Sequence, residues 1–161
     1  MFGSVQKGVN AYASVGLETG VAAASPHKLI VMLFDGALTA LTIALTEMHA
    51  KNIAAKGRAI SKAIRIIEEG LRASLDKSQG GEIAGSLDAL YEFIAKRLVQ
   101  ANLENKPEYI EEAHRLLGEL RGAWLAIDPE AAARHAQAAA LSQTQGAAQR
   151  LPGRTCRSLL A

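Results

Sequence analysis

The residues of this chain that could do metal chemistry are four histidines and a scatter of carboxylates. The histidines are His27, His49, His114 and His135, and no two of them stand at the i, i+4 spacing of a helical metal site. The spacing Glu111-x-x-His114 is used by di-iron bundles, but those sites need two such pairs and two further glutamates. A helical wheel also turns Glu111 away from the apolar stripe of its own helix. We therefore expect no metal site.

Nucleophilic and phosphate-binding patterns are also missing from the sequence. The single cysteine, Cys156, has no neighbouring thiol, and no serine stands beside a recognisable base and orienting group. Gly80-Gly81 precedes a helical pattern, but no strand comes before it and no Lys-Ser or Lys-Thr pair follows it. We therefore expect a protein that is not an enzyme and that holds no cofactor.

The composition favours an all-helical domain. Hydrophobic residues make up 49% of the 161 residues but aromatic residues only 4%, so the core must consist of Ala, Leu and Ile, which suit helices. Residues 1–130 carry a net charge of −2, whereas residues 131–161 hold four arginines and no acid. Because residues 1–130 lack a basic face with interleaved aromatic residues, we expect no nucleic-acid binding.

The sequence also indicates the cellular compartment. One cysteine allows no internal disulfide, which is typical of a reducing environment. The N-terminal residues lack the basic and then apolar pattern of a secretory signal. The longest uninterrupted apolar run, residues 29–34, is far shorter than the roughly 20 residues that a membrane-spanning helix needs. We expect a cytoplasmic protein with no membrane insertion.

Apolar residues that recur at spacings of three and four predict four helices, over residues 26–50, 53–75, 82–104 and 108–127. Ser25 and Pro26 suit the N-cap and the first position of the first helix. Because the connections are short, neighbouring helices should be antiparallel. The predicted fold is an all-α, antiparallel up-down four-helix bundle over residues 25–127. We expect residues 1–24 to form a flexible N-terminal arm and residues 128–161 to form a weakly ordered, low-complexity tail that can be partly helical.

The first helix is apolar over more of its circumference than a bundle requires. A wheel places one set of side chains on the core side: Ile30, Leu33, Phe34, Ala37, Leu41, Ala44 and Met48. A second set, here called the flank residues, lies beside it: Leu29, Met32, Gly36, Ala40 and Ile43. Together they cover an apolar arc of about 260°, against ~100° for an ordinary surface helix.

Two interpretations fit this wide arc. In the first, the helix is central, and two other helices and the N-terminal arm cover the flank. In the second, the five flank residues form a client-binding groove, in which small residues admit a foreign backbone and Met32 adapts to its shape. Both hold if the arm covers the groove until a client displaces it, with Tyr12 and Leu17 as the plug.

The residues also resemble a known family. Residues 24–37, Ala-Ser-Pro-His-Lys-Leu-Ile-Val-Met-Leu-Phe-Asp-Gly-Ala, are similar to the signature of the flagellar secretion chaperones that bind flagellin. The third and fourth helices continue the similarity, with Gly80-Gly81-Glu82-Ile83-Ala84, Leu87, Leu90-Tyr91, Leu98, Ala101-Asn102, Leu116-Leu117, Leu120-Arg121 and Ala123-Trp124. The sequence departs from the family at Phe34, where many members have tyrosine, and in a longer link between Tyr12 and Ser25.

This resemblance implies a cytosolic export chaperone. It would bind the C-terminal, polymerisation-prone helical segment of newly made flagellin, prevent premature assembly and deliver flagellin to a component of the flagellar export gate. No ATP or metal is implied. The alternative is a helical adaptor protein of another secretion or signalling system.

Overall fold

The computed structural model describes residues 24–148 of the chain, and in that part it contains helices and no strand. The helices are α1 (Pro26–His49), α2 (Ile53–Arg65), α3 (Lys77–Glu104), α4 (Pro107–Ala126) and α5 (Pro129–Ala148). A π-helical segment, Ile66–Arg72, continues α2. The predicted all-α helical bundle is confirmed. The chain divides into two compact units, Met1–Leu125 and Ala126–Ala161.

Short polar side chains begin and end the helices of the first unit. The Ser25 hydroxyl accepts a hydrogen bond from the amide of Lys28 at 3.3 Å and so caps α1. The Asn52 side chain caps α2 in the same way, and the Asp76 carboxylate caps α3. Asn105, in the left-handed conformation with φ 52°, ends α3 just before the proline that starts α4.

Contacts between neighbouring helices establish the topology. Along α1, Leu33 approaches Gly70 and Gly36 approaches Ile66, so residue numbers fall along α2 and its π-helical continuation as they rise along α1. The contacts of α1 with α4 run the same way, since Asp35 bonds to Arg121 and Thr42 lies beside His114. Each of these two neighbours is therefore antiparallel to α1.

The other two pairs of neighbouring helices are α2 with α3 and α3 with α4. Lys56 of α2 bonds to Asn102 of α3, whereas Arg72 bonds to Asp88, so α2 with its continuation and α3 are antiparallel. Arg97 of α3 pairs with Glu112 of α4 at 2.9 Å across the hairpin at Asn105. The four helices thus form an up-down-up-down ring with α1 between α2 and α4.

The core lies inside this ring. Its largest fully buried side chains are Phe34, Leu41, Ile60, Ile67, Leu71, Ile94, Leu98, Ile110 and Leu117. These are the apolar positions of the four helical patterns, since spacings of three and four place them on one face of each helix. Ile83, an apolar residue near the start of α3, is nevertheless 74% exposed because it lies in the first turn beyond a kink at Gly81.

One glycine sets the distance between α1 and the π-helical segment. A Cβ atom at Gly70 would lie 3.0 Å from Cδ2 of Leu33, closer than side-chain carbons normally approach. Gly70 is buried together with Ile66, Ile67 and Leu71 of the same segment. The absence of a side chain at this position therefore lets the two helices pack closely.

Lys56 is a charged residue that is buried in the core region, with 3% of its surface exposed. Its Nζ donates to the carbonyl of Asn102 at 3.1 Å and to the side-chain oxygen of Asn105. The carbonyls in the last turn of a helix lack intrahelical partners and carry partial negative charge, which a cation satisfies. Lys56 therefore ties α2 to the C-terminal end of α3.

A cluster of charged side chains joins the π-helical segment to α3, at the end of these helices that is remote from Lys56. Arg72 bonds to Asp88 at 2.6 Å, to Glu68 at 2.9 Å and to Glu92 at 3.3 Å. Hydrogen bonds from Arg72 and then from Lys77 hold the pKa of the Asp88 carboxyl below its usual value. The cluster fixes the end of the π-helical segment against α3.

This lowered pKa predicts a loss of stability in acid. Because the folded-state pKa of Asp88 lies below its unfolded value of about 3.9, the stabilisation is complete above that value. It is lost as the pH falls through the folded-state pKa. We expect Asp88→Asn to lower the free energy of unfolding at neutral pH, and the difference from the unchanged protein to shrink below about pH 4. Urea unfolding at a series of pH values measures both quantities.

Glu119→Gln is the control for this prediction, because Glu119 forms an exposed i, i+4 pair with Arg115. This variant should follow the acid dependence of the unchanged protein. A difference between Asp88→Asn and the unchanged protein that stays constant across the whole pH range would contradict the assignment.

The second unit contains α5. The Asp128 carboxylate accepts a hydrogen bond from the amide of Glu130 at 2.9 Å, which caps the helix at its start. From Ala132 to Gln143 every side chain is exposed, since the sequence is rich in alanine and offers few large apolar groups to bury.

Candidate functional site

A shallow open groove runs between α1 and α2 on the outer surface of the bundle. It has a volume of about 240 Å³ and is lined by Ala40, Ile43, Ala55, Arg58, Ala59 and Lys62. Small side chains on both helices keep it from being filled. Ala40 and Ala59, both buried, form its floor, and Ile43 and Ala55 stand higher on its two sides. The floor is apolar and one wall is cationic.

The structure places the five flank residues at different depths along this side of α1. Leu29 and Met32 are half-buried, and Ile43 is 46% exposed. Gly36 faces Ile66 of the π-helical segment, whose Cδ1 would lie 3.4 Å from a Cβ at that position. The missing side chain of Gly36 therefore makes room for Ile66 within the bundle.

Ala40 requires a correction. The wheel placed it on an open flank, but only 2% of its surface is exposed and it belongs to the core cluster. The reason is that α2 approaches α1 closely through its own small residue, Ala59. Ala40 can shape the floor of the groove but presents almost no surface of its own.

The neighbouring helices account for part of the wide apolar arc. On one side α2 covers Ala40 and its π-helical continuation covers Gly36, and the ring places α4 on the other side of α1. Met32 and Ile43 keep surface that no helix of the bundle covers fully. Cover by neighbouring helices, the first interpretation of the wide arc, thus explains the buried flank residues. The exposed surface of Ile43 is left for the second interpretation, a client-binding groove.

The seam between α1 and α4 is closed by polar and aromatic contacts. The rings of His27 and Trp124 stack with centroids 5.4 Å apart, and Nε2 of His27 lies 2.7 Å from the carbonyl oxygen of Trp124. Further along, Arg121 donates to the Asp35 carboxylate at 2.5 Å. Asp35 is therefore paired with a cation of α4.

By length and composition α1 could cross a membrane, and it is the one helix among the described residues that passes this test. Its core side, however, holds Phe34 and Leu41, which are fully enclosed by the other helices. An ion-paired carboxylate, Asp35, lies near its middle. These features are those of a helix that packs one side into the core of a bundle.

The sequence interpretation missed the cationic wall of the groove. Arg58 and Lys62 lie one turn apart on α2 and line the groove directly. The signal was present in the sequence, because α2 carries four basic residues and no acid between Ile53 and Arg65. It was not recognised because the face that these residues occupy depends on the packing of α2 against α1.

Two predicted site residues, Tyr12 and Leu17 of the arm, lie outside the described residues. Within residues 24–148, no three histidine, cysteine or carboxylate side chains come together in a way that could hold a metal ion.

The fold and the groove define a small all-α bundle protein with an open apolar surface between its first two helices. The family model described as "Flagellar protein FliS" matches residues 8–131. The flagellar secretion chaperone FliS of Salmonella typhimurium is 50% identical over 124 residues, which cover 77% of this chain and 92% of that protein.

More distant relatives give the same result. Flagellar secretion chaperone FliSB of Pseudomonas aeruginosa is 43% identical over 73% of this chain and 93% of its own length. FliS of Bacillus subtilis is 31% identical over 73% of this chain and 87% of its own length. The chain belongs to the FliS family of flagellar secretion chaperones, which is a family of chaperones and not of enzymes. It is a flagellar export chaperone.

Proposed function

We propose that this chaperone binds the C-terminal helical segment of flagellin in the cytoplasm, prevents its premature polymerisation and delivers it to a component of the flagellar export gate. The observation that carries the proposal is the open groove between α1 and α2, with exposed Ile43 beside an apolar floor. Such a surface suits an amphipathic helix laid along it. Membership of a family of flagellar secretion chaperones supports a flagellar client.

The physical requirement of this function is a large and mostly apolar contact. A segment that is unfolded before binding loses conformational entropy when it becomes ordered, and several buried anchors must offset that loss. The proposed anchors on the chaperone are Leu29, Met32 and Ile43, which retain accessible surface. Gly36 and Ala40 contribute by keeping the floor low.

The N-terminal arm has a proposed role as a cover. Tyr12 and Leu17 are large apolar residues in a segment with four glycines before Pro26, and they could occupy the groove while no client is bound. Deleting residues 1–20 would remove this competitor and change the affinity for the client. An unchanged affinity would remove the arm from the proposal.

Calorimetric titration tests the proposed client. The purified chaperone is titrated with the flagellin of its own host, once whole and once without about its last 40 residues, a length that suits a helical segment wrapped along a groove. We expect a one-to-one complex with whole flagellin and loss of binding on truncation. Equal binding of both forms would contradict a C-terminal site, and no binding of either would favour a helical adaptor with another client.

A further inference from the structure

A stripe of positive charge follows the outer side of α2. Arg58, Lys62 and Arg65 stand at positions i, i+4 and i+7 of one helix, so they lie in a row along its axis. All three are exposed. Among the residues that the structure describes, no carboxylate lies within ion-pair distance of any of them.

Neither carboxylate of the helix opposite this stripe forms an ion pair with it. α1 contains two carboxylates, Asp35 and Glu47. Asp35 is held by Arg121 of α4, on the other side of α1 from the groove. Glu47 lies in the last turn of α1, one turn beyond Ile43, and no ion pair joins it to Arg58, Lys62 or Arg65. The groove therefore has an apolar floor, an uncharged wall on α1 for most of its length and a cationic wall on α2.

We propose that the segment held in this groove is an amphipathic helix whose apolar stripe is bordered, on the side facing α2, by carboxylates four residues apart. This inference extends the proposed function and rests on it, because it takes the groove to be the site that binds the client. Two residues four apart on a bound helix are separated by about 6 Å along its axis, the same rise that separates Arg58 from Lys62. Each carboxylate then meets one cation at the edge of an apolar contact that partly excludes water.

The size and shape of the surface favour a protein helix over a membrane or a nucleic acid. Juxtamembrane lipid-binding clusters use four to eight basic residues on a protruding surface, whereas this stripe borders a trough. Residues 1–130 carry a net charge of −2, so no broad positive field surrounds it. The charges serve orientation and selection of the bound helix more than overall affinity.

A pair of designed peptides tests the inference without depending on flagellin. Both are about five helical turns, roughly 18 residues, long and share one apolar stripe of Ala and Leu. One carries glutamates at i and i+4 beside the stripe, and the other carries lysines at the same positions. Fluorescence anisotropy measures binding of each to the full chain at about 0.05 M and 0.5 M salt, because screening separates charge from apolar contact.

We expect the acidic peptide to bind about five- to tenfold more tightly than the basic peptide at low salt, from two partly exposed ion pairs. High salt should remove the preference, and so should Arg58→Gln combined with Lys62→Gln. The matched control is Lys96→Gln combined with Arg115→Gln, which removes the same charge from the exposed faces of α3 and α4 and should keep the preference. Circular dichroism checks that both variants fold.

Equal binding of the two peptides, binding of neither, or a preference that survives in the Arg58 and Lys62 variant would each overturn the inference. Binding of the chain to phosphatidylglycerol vesicles without discrimination between the peptides would assign the stripe to a membrane surface and would also overturn it. The flagellin truncation experiment is independent of these results, so the proposed client and the proposed charge preference can fail separately.

Discussion

Replacing Met32 and Ile43 together by aspartate is expected to abolish flagellin binding and to leave the bundle folded. Ile43 is 46% exposed and Met32 is half-buried on the outer side of α1, so neither forms part of the fully buried core. A carboxylate at either position would have to lose water against an apolar client surface. Anchor residues in an interface contribute about 2 kcal/mol or more each, so we expect affinity to fall at least about a hundredfold.

The control for this prediction is a pair of exposed apolar residues outside the groove. Val99 and Leu103 of α3 are 48% and 76% exposed and stand four residues apart on the same helix. Val99→Asp with Leu103→Asp introduces the same charge and should keep client affinity within about threefold, as expected for surface positions outside an interface. Titration measures affinity and circular dichroism measures helicity. Undiminished binding by the Met32 and Ile43 variant would exclude this side of α1 as the client site.

Truncating Leu41 to alanine is expected to cause the largest loss of stability. Leu41 is 0% exposed and lies in the centre of the core, so removal of its side chain leaves a cavity. Such substitutions cost about 2–5 kcal/mol. Urea unfolding followed by circular dichroism measures this value directly.

A matched control lies two residues further along the same helix. Ile43→Ala removes a similar number of carbon atoms from a position that is 46% exposed, and it should cost less than about 1 kcal/mol. The two variants should also differ in function, because only Ile43 is proposed to contact the client. Equal destabilisation by both substitutions would contradict the assignment of α1's inner and outer sides.

The sequence predicted the helices of the bundle well because their signals are local. Ser25 and Pro26 start α1 as expected, since capping depends on a hydroxyl and on the amides of the next turn. Apolar spacing also identified most of the core, including Leu98 and Leu117. The start of α3 was less well predicted: it begins at Lys77, because Asp76 caps a turn that precedes the kink at Gly81.

Features that depend on how helices meet could not be read from one helix at a time. The burial of Ala40 results from the approach of α2, and the close packing at Gly70 depends on Leu33 of another helix. Lys56 stands at a buried position because carbonyl and amide oxygens of α3 satisfy it, and these lie more than forty residues away in sequence. The π-helical segment Ile66–Arg72 gives no distinct sequence signal, since its apolar spacing is also compatible with an α-helix.

The candidate site was predicted in part. The wheel identified an apolar flank on α1, and the groove lies on that side of the helix. It could not identify Arg58 and Lys62, because these residues belong to the site only through the antiparallel pairing of α2 with α1. The depth of each flank residue likewise follows from that pairing.

Site-specific photo-crosslinking of the chaperone to flagellin would show directly which surface holds the client. A photoreactive phenylalanine analogue is placed at position 43 and, in a separate variant, at position 99 of α3, which has similar exposure. We expect position 43 to form an adduct with the C-terminal segment of flagellin and position 99 to form none. Adducts from position 99 alone, or an adduct from position 43 with another part of flagellin, would contradict this expectation.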